Sequence, residues 1–260
     1  MNRSLSLAAL GCAAALAGCG QDAVQMLPLA PLPTARIKFF NFGVNAPAVN
    51  FYANETKMTA VLSSTGSEST NGVAYGAVGN GGLYSALAPG QYSLTGRISA
   101  ATNKDLPIDT IAATIADGKF YSFYLSGFYN TTSKIVDGFV LEDPIPAQVD
   151  YTLAYIRLVH AISNGGPLTL YARLNGDTDP THWVAVGTAV AYKGAGTFAT
   201  LPPAVYDVGV RYSGSAANNI TRTAVGLVGG HVYTISARGD STITSTTATN
   251  RPFLDNTANR

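Results

Sequence analysis

Residues 206–212 read Tyr-Asp-Val-Gly-Val-Arg-Tyr, an alternation that places two tyrosines and two valines on one side. A period of two is typical of a β-strand with one face in an apolar core and one mixed face. Residues 121–125 and 233–237 show the same alternation. Glycine-containing turn dipeptides separate such runs: Pro89-Gly90, Asp117-Gly118, Asn175-Gly176 and Gly229-Gly230. These patterns predict an all-β protein made of short antiparallel strands.

The composition favours the same fold class and excludes several functions. Charged residues make up 12% of the 260-residue chain, whereas soluble domains average about 25%. The formal net charge is +1 and no basic cluster stands out, so we expect no nucleic-acid partner. The two cysteines, Cys12 and Cys19, both lie near the start of the chain. We therefore expect no structural disulfide, no cysteine-ligated metal and no cofactor.

The N-terminal residues are typical of an exported protein. Arg3 supplies one positive charge before an apolar run over residues 5–15, which is too short to span a bilayer. Residues 16–19 read Leu-Ala-Gly-Cys and resemble a bacterial lipobox, in which the cysteine is acylated and becomes the first residue of the mature protein. Cys12 is a weaker alternative because less apolar sequence precedes it. We predict a lipoprotein signal peptide at residues 1–18 and lipidation of Cys19.

A membrane anchor at Cys19 predicts a place in the cell envelope. Residues 19–34 contain three prolines and no periodicity, so we interpret them as a lipidated cysteine followed by a proline-rich tether. Gln21 stands where an aspartate is associated with inner-membrane retention in enteric bacteria. We therefore predict an outer-membrane lipoprotein, facing either the periplasm or the surface.

Five segments of the chain recur in the same order, which predicts a duplication of a domain-sized unit. The matched starts are residues 35 and 155, 48 and 167, 73 and 190, 88 and 202, and 117 and 229. We count about seven short strands in each copy, which predicts two tandem Ig-like antiparallel β-sandwich domains. The predicted boundaries are residues 35–146 for domain 1, 147–153 for a linker, 154–247 for domain 2 and 248–260 for a polar tail. We expect domain 1 to fold alone.

The repeated segments resemble the domain-of-unknown-function 4397 family, which occurs in bacterial secreted proteins and lipoproteins. The matching positions are Arg36, Asn41, Ala46-Pro47, Val49 and Tyr52 in the first copy, Arg157, Val159, His160, Ala161, Ser163 and Tyr171 in the second, and the turns ending at Tyr92 and Tyr206. Two aspartates of the family motif are Asn45 and Asn50 in the first copy and Gly165 and Thr169 in the second. The resemblance covers about residues 35–240. It implies a β-sandwich and export, and it implies no reaction.

The sequence contains no motif that predicts a reaction. The three histidines, His160, His182 and His231, lack the spacing of a zinc site, and no Gly-x-Ser-x-Gly nucleophile motif occurs. We therefore predict a protein that is not an enzyme and that binds or scaffolds. An envelope hydrolase with a convergent site near His160 or His182 is the alternative. The interpretation of His160 as a structural, hydrogen-bonded side chain is favoured over a catalytic one.

Aromatic residues crowd one predicted strand and the loop after it. Because alternation buries only half of a strand, Tyr124, Phe128 and Tyr129 are candidate binding aromatics. Packing between the two domains is the alternative use of the same side chains, and we favour it. The partners expected of an exposed aromatic surface are another envelope protein or a polysaccharide.

Overall fold

The computed structural model describes residues 34–60 and 71–260, and residues Pro33–Arg260 form one compact unit. The first half contains β1 (Ala35–Asn41), β2 (Val49–Ala53), β3 (Thr56–Lys57), β4 (Ala77–Val78), β5 (Ser85–Leu87), β6 (Gly90–Ile98), β7 (Pro107–Ile115), β8 (Phe120–Asn130) and β9 (Ile135–Glu142). The second half contains β10 (Ala154–His160), β11 (Leu168–Leu174), β12 (Val184–Val190), β13 (Ala199–Leu201), β14 (Ala204–Tyr212), β15 (Ile220–Leu227), β16 (Val232–Arg238) and β17 (Phe253–Ala258).

The strands form four sheets that pair into two sandwiches. In sandwich 1, an inner sheet has the order β4-β1-β8-β9 with β5 also on β1, and an outer sheet has the order β3-β2-β6-β7. In sandwich 2, the inner sheet has the order β13-β10-β16-β17 and the outer sheet the order β12-β11-β14-β15. The all-β sandwich fold predicted from the alternation is therefore confirmed.

Each inner sheet contains one parallel pair, which corrects the expectation of purely antiparallel strands. β1 pairs with β8 and β10 pairs with β16 in parallel register. The reason lies in the connections. After its first strand the chain crosses to the outer sheet twice, and its first return to the inner sheet adds antiparallel edge strands, β4 and β5 in sandwich 1 and β13 in sandwich 2. Its second return begins at the same end of the body as the first strand. The returning strand therefore runs in the same direction.

All six of the strands β1, β6, β8, β10, β14 and β16 begin at one end of the body, which we call the linker end. The linker, residues 143–153, lies there because it joins the end of β9 to the start of β10. The two sandwiches point the same way: Lys38 near the start of β1 contacts Ala258 at the end of β17, and Arg260 contacts the linker at Pro146. Thr34, the first described residue, also lies at the linker end, where Gly118 donates a hydrogen bond to its hydroxyl.

Three apolar clusters hold the body together, and the third joins the sandwiches. Sandwich 1 buries one cluster around Phe39, Phe51 and Phe123, and sandwich 2 buries another around Leu158 and Ile235. The joining cluster lies between the inner sheets and contains Phe40, Phe42, Tyr124, Phe139, Val159 and Ala161. Exposing those aromatic faces to water would cost several kcal/mol, because a fully buried Phe side chain alone is worth about 1.5–3 kcal/mol. Whether domain 1 folds alone stays a prediction, and the joining cluster is the apolar surface that it would then expose.

The C-terminal residues belong to the sheet and are not the predicted polar tail. β17 pairs along its whole length with β16, and Leu254 is buried in the core of sandwich 2. Its sequence, Phe-Leu-Asp-Asn-Thr-Ala, has one large buried side chain and several polar ones, so its alternation is weak and sequence patterning misses it. Within the part of the chain that is described, no helix is long and apolar enough to cross a membrane.

Candidate functional site

The candidate aromatic Tyr124 lies inside the body and offers no binding surface. Its ring stacks on Phe40, with centroids 4.4 Å apart, and on Phe139, with centroids 5.0 Å apart. The residue is fully buried between the two inner sheets. This position corrects the expectation of an exposed ring and agrees with the alternative of packing between the sandwiches. The face of β8 that points away from the core of sandwich 1 is the face that packs against sandwich 2.

Phe128 and Tyr129 lie at the far end of β8, opposite the linker end. Phe128 is 44% exposed, whereas Tyr129 is half-buried and packs on the core of sandwich 1. The backbone turns at Gly127, which has a φ of 72°, so the regular alternation of the strand ends there. Of the three candidate aromatics, Phe128 alone remains available to a partner, and the structure does not bring the three together.

A buried polar network crosses the boundary between the sandwiches at the linker end. Asp143 follows β9, and its Oδ1 accepts a hydrogen bond from the guanidinium of Arg157 on β10. Its Oδ2 accepts from the hydroxyls of Tyr84 and Ser122, each at 2.7 Å. The Arg157 Nε donates to Thr234 at 3.1 Å, so the ion pair is satisfied from both inner sheets. Both side chains of the pair are almost completely buried.

Lys38 completes the network from β1. Its Nζ donates to the carbonyl oxygen of Ala258 at 2.5 Å and to the Asn259 side chain at 3.2 Å, and it lies 4.3 Å from the ring of Tyr84. Burial lowers the pKa of Lys38 to about 8, against the opposing attraction of Asp143. Burial and the nearby Asp143 also raise the pKa of Tyr84. Arg157 pairs directly with the buried carboxylate of Asp143, whereas Lys38 bonds to oxygens of the C-terminal residues and is attracted to Asp143 through charge alone.

The network shows how the strands of the two sandwiches correspond. Ala35 pairs with Leu87 as Ala154 pairs with Leu201, so Lys38 is the counterpart of Arg157. The family motif matches Arg157 to Arg36 instead, because the two residues are identical in type, and Arg36 lies two residues before the structural counterpart. A charged residue inside an otherwise apolar strand, present in both copies, is the signal that could have identified the boundary network from sequence.

Asn41 and His160 are also counterparts, and they make the same contact. Asn41 donates through Nδ2 to the carbonyl oxygen of Pro47 at 3.0 Å, and His160 contacts the carbonyl oxygen of Gly166 through Nε2 at 2.9 Å. The backbone N–H of Ile162 donates to His160 Nδ1, so the contact to Gly166 requires the proton on Nε2. Both ring nitrogens of His160 therefore bind backbone groups. Burial lowers the pKa of His160. In each sandwich this side chain, Asn41 or His160, holds the loop after the first strand in place by a hydrogen bond to the backbone of that loop.

The turn tyrosines form a second pair of counterparts. Tyr92 donates its hydroxyl to Ala88 at 3.0 Å, and Tyr206 donates to Pro202 at 2.9 Å, in each case the carbonyl four residues earlier. Tyr206 is buried and Tyr92 is half-buried. These contacts close the turn at the linker end of each outer sheet, which gives the Pro-containing turn motif a physical role.

His182 lies on the surface of sandwich 2 between two carboxylates. Its Nδ1 is 2.7 Å from Asp177 and its Nε2 is 3.6 Å from Asp179. The hydrogen bond and charge of Asp177, followed by the charge of Asp179, raise the pKa of His182. A histidine that activates a nucleophile presents one nitrogen to a hydroxyl and the other to a carboxylate. Here both nitrogens face carboxylates.

A further acidic group lies at the far end, where the sandwiches also meet. Burial, followed by the charge of Asp137, raises the pKa of Asp109 to about 6, against a backbone hydrogen bond from Thr110. Asp137 itself accepts from Lys193 at 2.7 Å and from the hydroxyl of Tyr192 at 3.0 Å, both on sandwich 2. The carboxylate of Asp137 therefore joins the two sandwiches. Among the described residues, no three His, Cys, Asp or Glu side chains are grouped as ligands for a metal ion.

Two open clefts lie at the linker end. One, of about 580 Å³, separates the sandwiches and is lined by residues 117–120, 142–147, 259 and 260. The other, of about 500 Å³, opens into the end of sandwich 2 between its sheets and is lined mainly by apolar side chains, among them Leu174, Val184, Leu201 and Tyr206. The candidate lipidation site Cys19 lies outside the described residues.

Comparison with known families identifies the chain. The model of a family described as a domain of unknown function, DUF4397, matches residues 35–171. The match begins at the first residue of β1 and ends within β11, and it covers more than half of the chain. The chain therefore belongs to this family. A comparison with curated proteins finds no match.

Proposed function

We propose that this member of the DUF4397 family is a non-catalytic, lipid-anchored protein of the cell envelope that binds or scaffolds through its two sandwiches. The observation that carries the proposal is that the two inner sheets pack face to face. Phe40, Tyr124 and Phe139 stack on one another in the inner sheet of sandwich 1 and pack against Val159 and Ala161 of sandwich 2. The Asp143–Arg157 pair is buried in the same boundary. Such a body is rigid, presents two outer sheets and several sheet edges to partners, and begins at one defined end.

The second sandwich is, in this proposal, a second copy of the family domain. The order of its strands repeats that of sandwich 1, and the motif pairs Asn41 and His160, and Tyr92 and Tyr206, make the same contacts. Duplication followed by packing of equivalent faces accounts for both observations.

The geometry around the histidines supports binding over hydrolysis. Backbone groups occupy both ring nitrogens of His160, and carboxylates face both nitrogens of His182. Neither ring is in the arrangement that transfers a proton from a serine or water to a leaving group. The partner we propose is another envelope protein, which adds a strand at an exposed sheet edge, or a polysaccharide. Cross-linking in intact cells, followed by identification of the captured molecule, distinguishes the two.

Replacing Cys19 tests the anchor. In Cys19→Ala the acylation site is lost, and the protein should move from the membrane fraction into the soluble exported fraction. Acyl chains supply about 0.8 kcal/mol for each buried methylene group, so two or three chains hold the protein firmly and none leaves it free. Fractionation of cells followed by immunoblotting measures the effect.

The matched control is Cys12→Ala, which changes the other cysteine of the chain. It should leave the protein in the membrane fraction, and density-gradient separation should place it with the outer membrane, as Gln21 predicts. Membrane retention of Cys19→Ala at ordinary salt would refute the anchor. Release of the protein from the membrane by Cys12→Ala would mean that Cys12, and not Cys19, is the lipidated residue.

A further inference from the structure

Exposed apolar side chains gather at the linker end of sandwich 2. Nine large apolar residues are exposed among those described, and five lie at this end: Tyr151 (79%), Leu174 (54%), Val184 (64%), Val205 (48%) and Val228 (55%). We call these five residues the apolar tip. Single exposed apolar residues are ordinary on protein surfaces, whereas a contiguous group marks a contact surface.

The members of the apolar tip are neighbours in space. A side chain at Gly230 would collide with the ring of Tyr151, and one at Gly229 would touch Pro203, so Tyr151, Val228 and the exposed Pro203 are adjacent. The Asn175 N–H donates to the carbonyl of Val205, which places Val205 beside Leu174. Leu174 and Val184 then line the same apolar cleft of about 500 Å³. Val205 faces away from that cleft because it alternates with the core residue Tyr206, so the five side chains surround the linker end of the outer sheet from both of its faces.

The chain approaches the body from the side of the apolar tip. Thr34 is held at the linker end by its contact with Gly118, and Cys19 precedes Thr34 by fifteen residues. Fifteen extended residues reach about 50 Å, and a strand of seven to nine residues is only about 25–30 Å long. The tether is longer than the body, and because the chain enters the body at the linker end, the shortest path from an anchor at Cys19 leads to that end.

The chemistry of the tip fits the interface of a bilayer. Tyr151 is the most exposed of the five, and the chain's single tryptophan, Trp183, precedes Val184 and stacks 4.8 Å from the guanidinium of Arg173. Tyrosine and tryptophan are enriched where lipid headgroups meet water, because their rings are apolar at one end and polar at the other. Charged groups of both signs lie nearby, with Asp177, Arg173 and His182 along the cleft and Asp150 beside Tyr151, so the tip suits the neutral surface of zwitterionic lipids.

We propose that the apolar tip is a second membrane contact, which docks the anchored protein end-on against the lipid surface. This inference rests on the proposed lipid anchor at Cys19. Tethering raises the effective concentration of the tip at the bilayer, so a contact too weak to bind free protein becomes occupied in the anchored one. Docking would orient both sandwiches and hold the far end, with Phe128, away from the membrane.

Trp183 provides a native probe of docking. The full mature lipoprotein, purified from membranes in detergent, is added to phosphatidylcholine vesicles whose acyl chains are brominated close to the headgroup, and its fluorescence is measured. We expect Trp183 to be quenched relative to unbrominated vesicles, because a docked tip brings it to the acyl-chain region. Flotation of the same vesicles reports the anchor independently.

The test variant is Tyr151→Ser/Val205→Thr/Val228→Thr, which spares Trp183 and its neighbour Val184. It should float with the vesicles as the wild type does and lose the quenching. The control Ile135→Ser changes an exposed residue, 58% accessible, at the far end and should keep the quenching. Circular dichroism and a urea midpoint confirm that both variants are folded.

The outcomes separate the two proposals. Wild-type protein that floats without quenching overturns tip docking and leaves the anchor intact, and this arm holds even if the triple variant fails to fold. Quenching that survives in the triple variant, or is lost in Ile135→Ser, also overturns docking by the tip. Failure of the wild type to float refutes the anchor, and the docking proposal with it.

Discussion

In sandwich 1, β2 and β3 are joined at the linker end by a turn of two residues, Asn54 and Glu55, whereas in sandwich 2 the corresponding strands β11 and β12 are joined by nine residues, 175–183. The short turn is polar, and Glu55 forms an ion pair with Arg97. The long loop leaves the apolar cleft open and carries Trp183 beside it. Two sandwiches with the same strand order thus present different surfaces at the same end.

The positions that stay equivalent are those that close strands and turns. Asn41 and His160 brace the loop after the first strand, and Tyr92 and Tyr206 close the turn before β6 and β14. Tyr121 and Tyr233 each accept a hydrogen bond from a backbone N–H five residues earlier, at 3.1 Å. The framework is shared and the linker-end loops differ, which is the usual division between scaffold and binding residues in a β-sandwich.

The largest effect is expected where the two copies hold each other. Asp143→Ala leaves Arg157 buried without its carboxylate partner and removes the charge that attracts Lys38, and it should lower the free energy of unfolding by about 3–5 kcal/mol. Urea denaturation followed by circular dichroism measures it. The control Glu142→Ala removes the neighbouring carboxylate, which pairs with Lys119 at the surface, and should cost about 1 kcal/mol or less. Equal losses in the two variants would mean that the buried pair does not join the sandwiches.

The next effect tests the difference between the turn tyrosines. Tyr206→Ala removes a buried ring and should cost about 3 kcal/mol or more, and Tyr92→Ala should cost less because Tyr92 is half-buried. The control Tyr206→Phe keeps the ring and loses only the bond to Pro202, for about 1 kcal/mol. Thermal and urea unfolding of the three variants rank them. A larger loss of stability in Tyr92→Ala than in Tyr206→Ala would mean that Tyr92 closes the better-packed turn.

The smallest effect concerns His160. Because Gln can still donate to Gly166, His160→Gln should cost about 1 kcal/mol and leave any binding activity intact. Burial lowers the pKa of His160, so the folded protein prefers the neutral ring. Its contribution to stability is complete above the usual histidine pKa near 6.5 and declines as the pH falls toward the lowered value.

The free energy of unfolding, measured between pH 7 and pH 5, therefore distinguishes His160 from its counterpart Asn41. The variant His160→Gln should show a flatter decline than the wild type on acidification. Asn41→Ala alters the corresponding contact in sandwich 1, which does not titrate, and should keep the wild-type slope. A hydrolytic activity lost in His160→Gln with an unchanged circular dichroism spectrum would favour the enzyme alternative.

Sequence patterning identified most of the fold because it depends on local chemistry. Alternation and glycine turns predicted strands such as β8, β14 and β16, and the repeated motifs predicted one order of elements for both halves. Sequence patterning missed β17 and the parallel pairing of β1 with β8. β17 lacks a clear alternation of apolar and polar residues. The parallel pairing depends on how the chain crosses between sheets.

The candidate site depended on tertiary structure to a greater extent. Residue type alone made Tyr124 a candidate for a surface, and only the packing of one inner sheet on the other shows that it is buried. The apolar tip joins residues from 151 to 228 that no spacing in the sequence connects. They become neighbours because the strands that carry them end at the same place.

What the sequence determined by itself is the all-β class and the family motifs, because each follows from residues close together along the chain. The tertiary structure decided which strand faces became inner surfaces, how Asp143, Arg157 and Lys38 share one buried network, and which loops meet at the linker end. Those features depend on the free energy of packing two sheets against each other, and that energy is a property of the folded body and not of any segment.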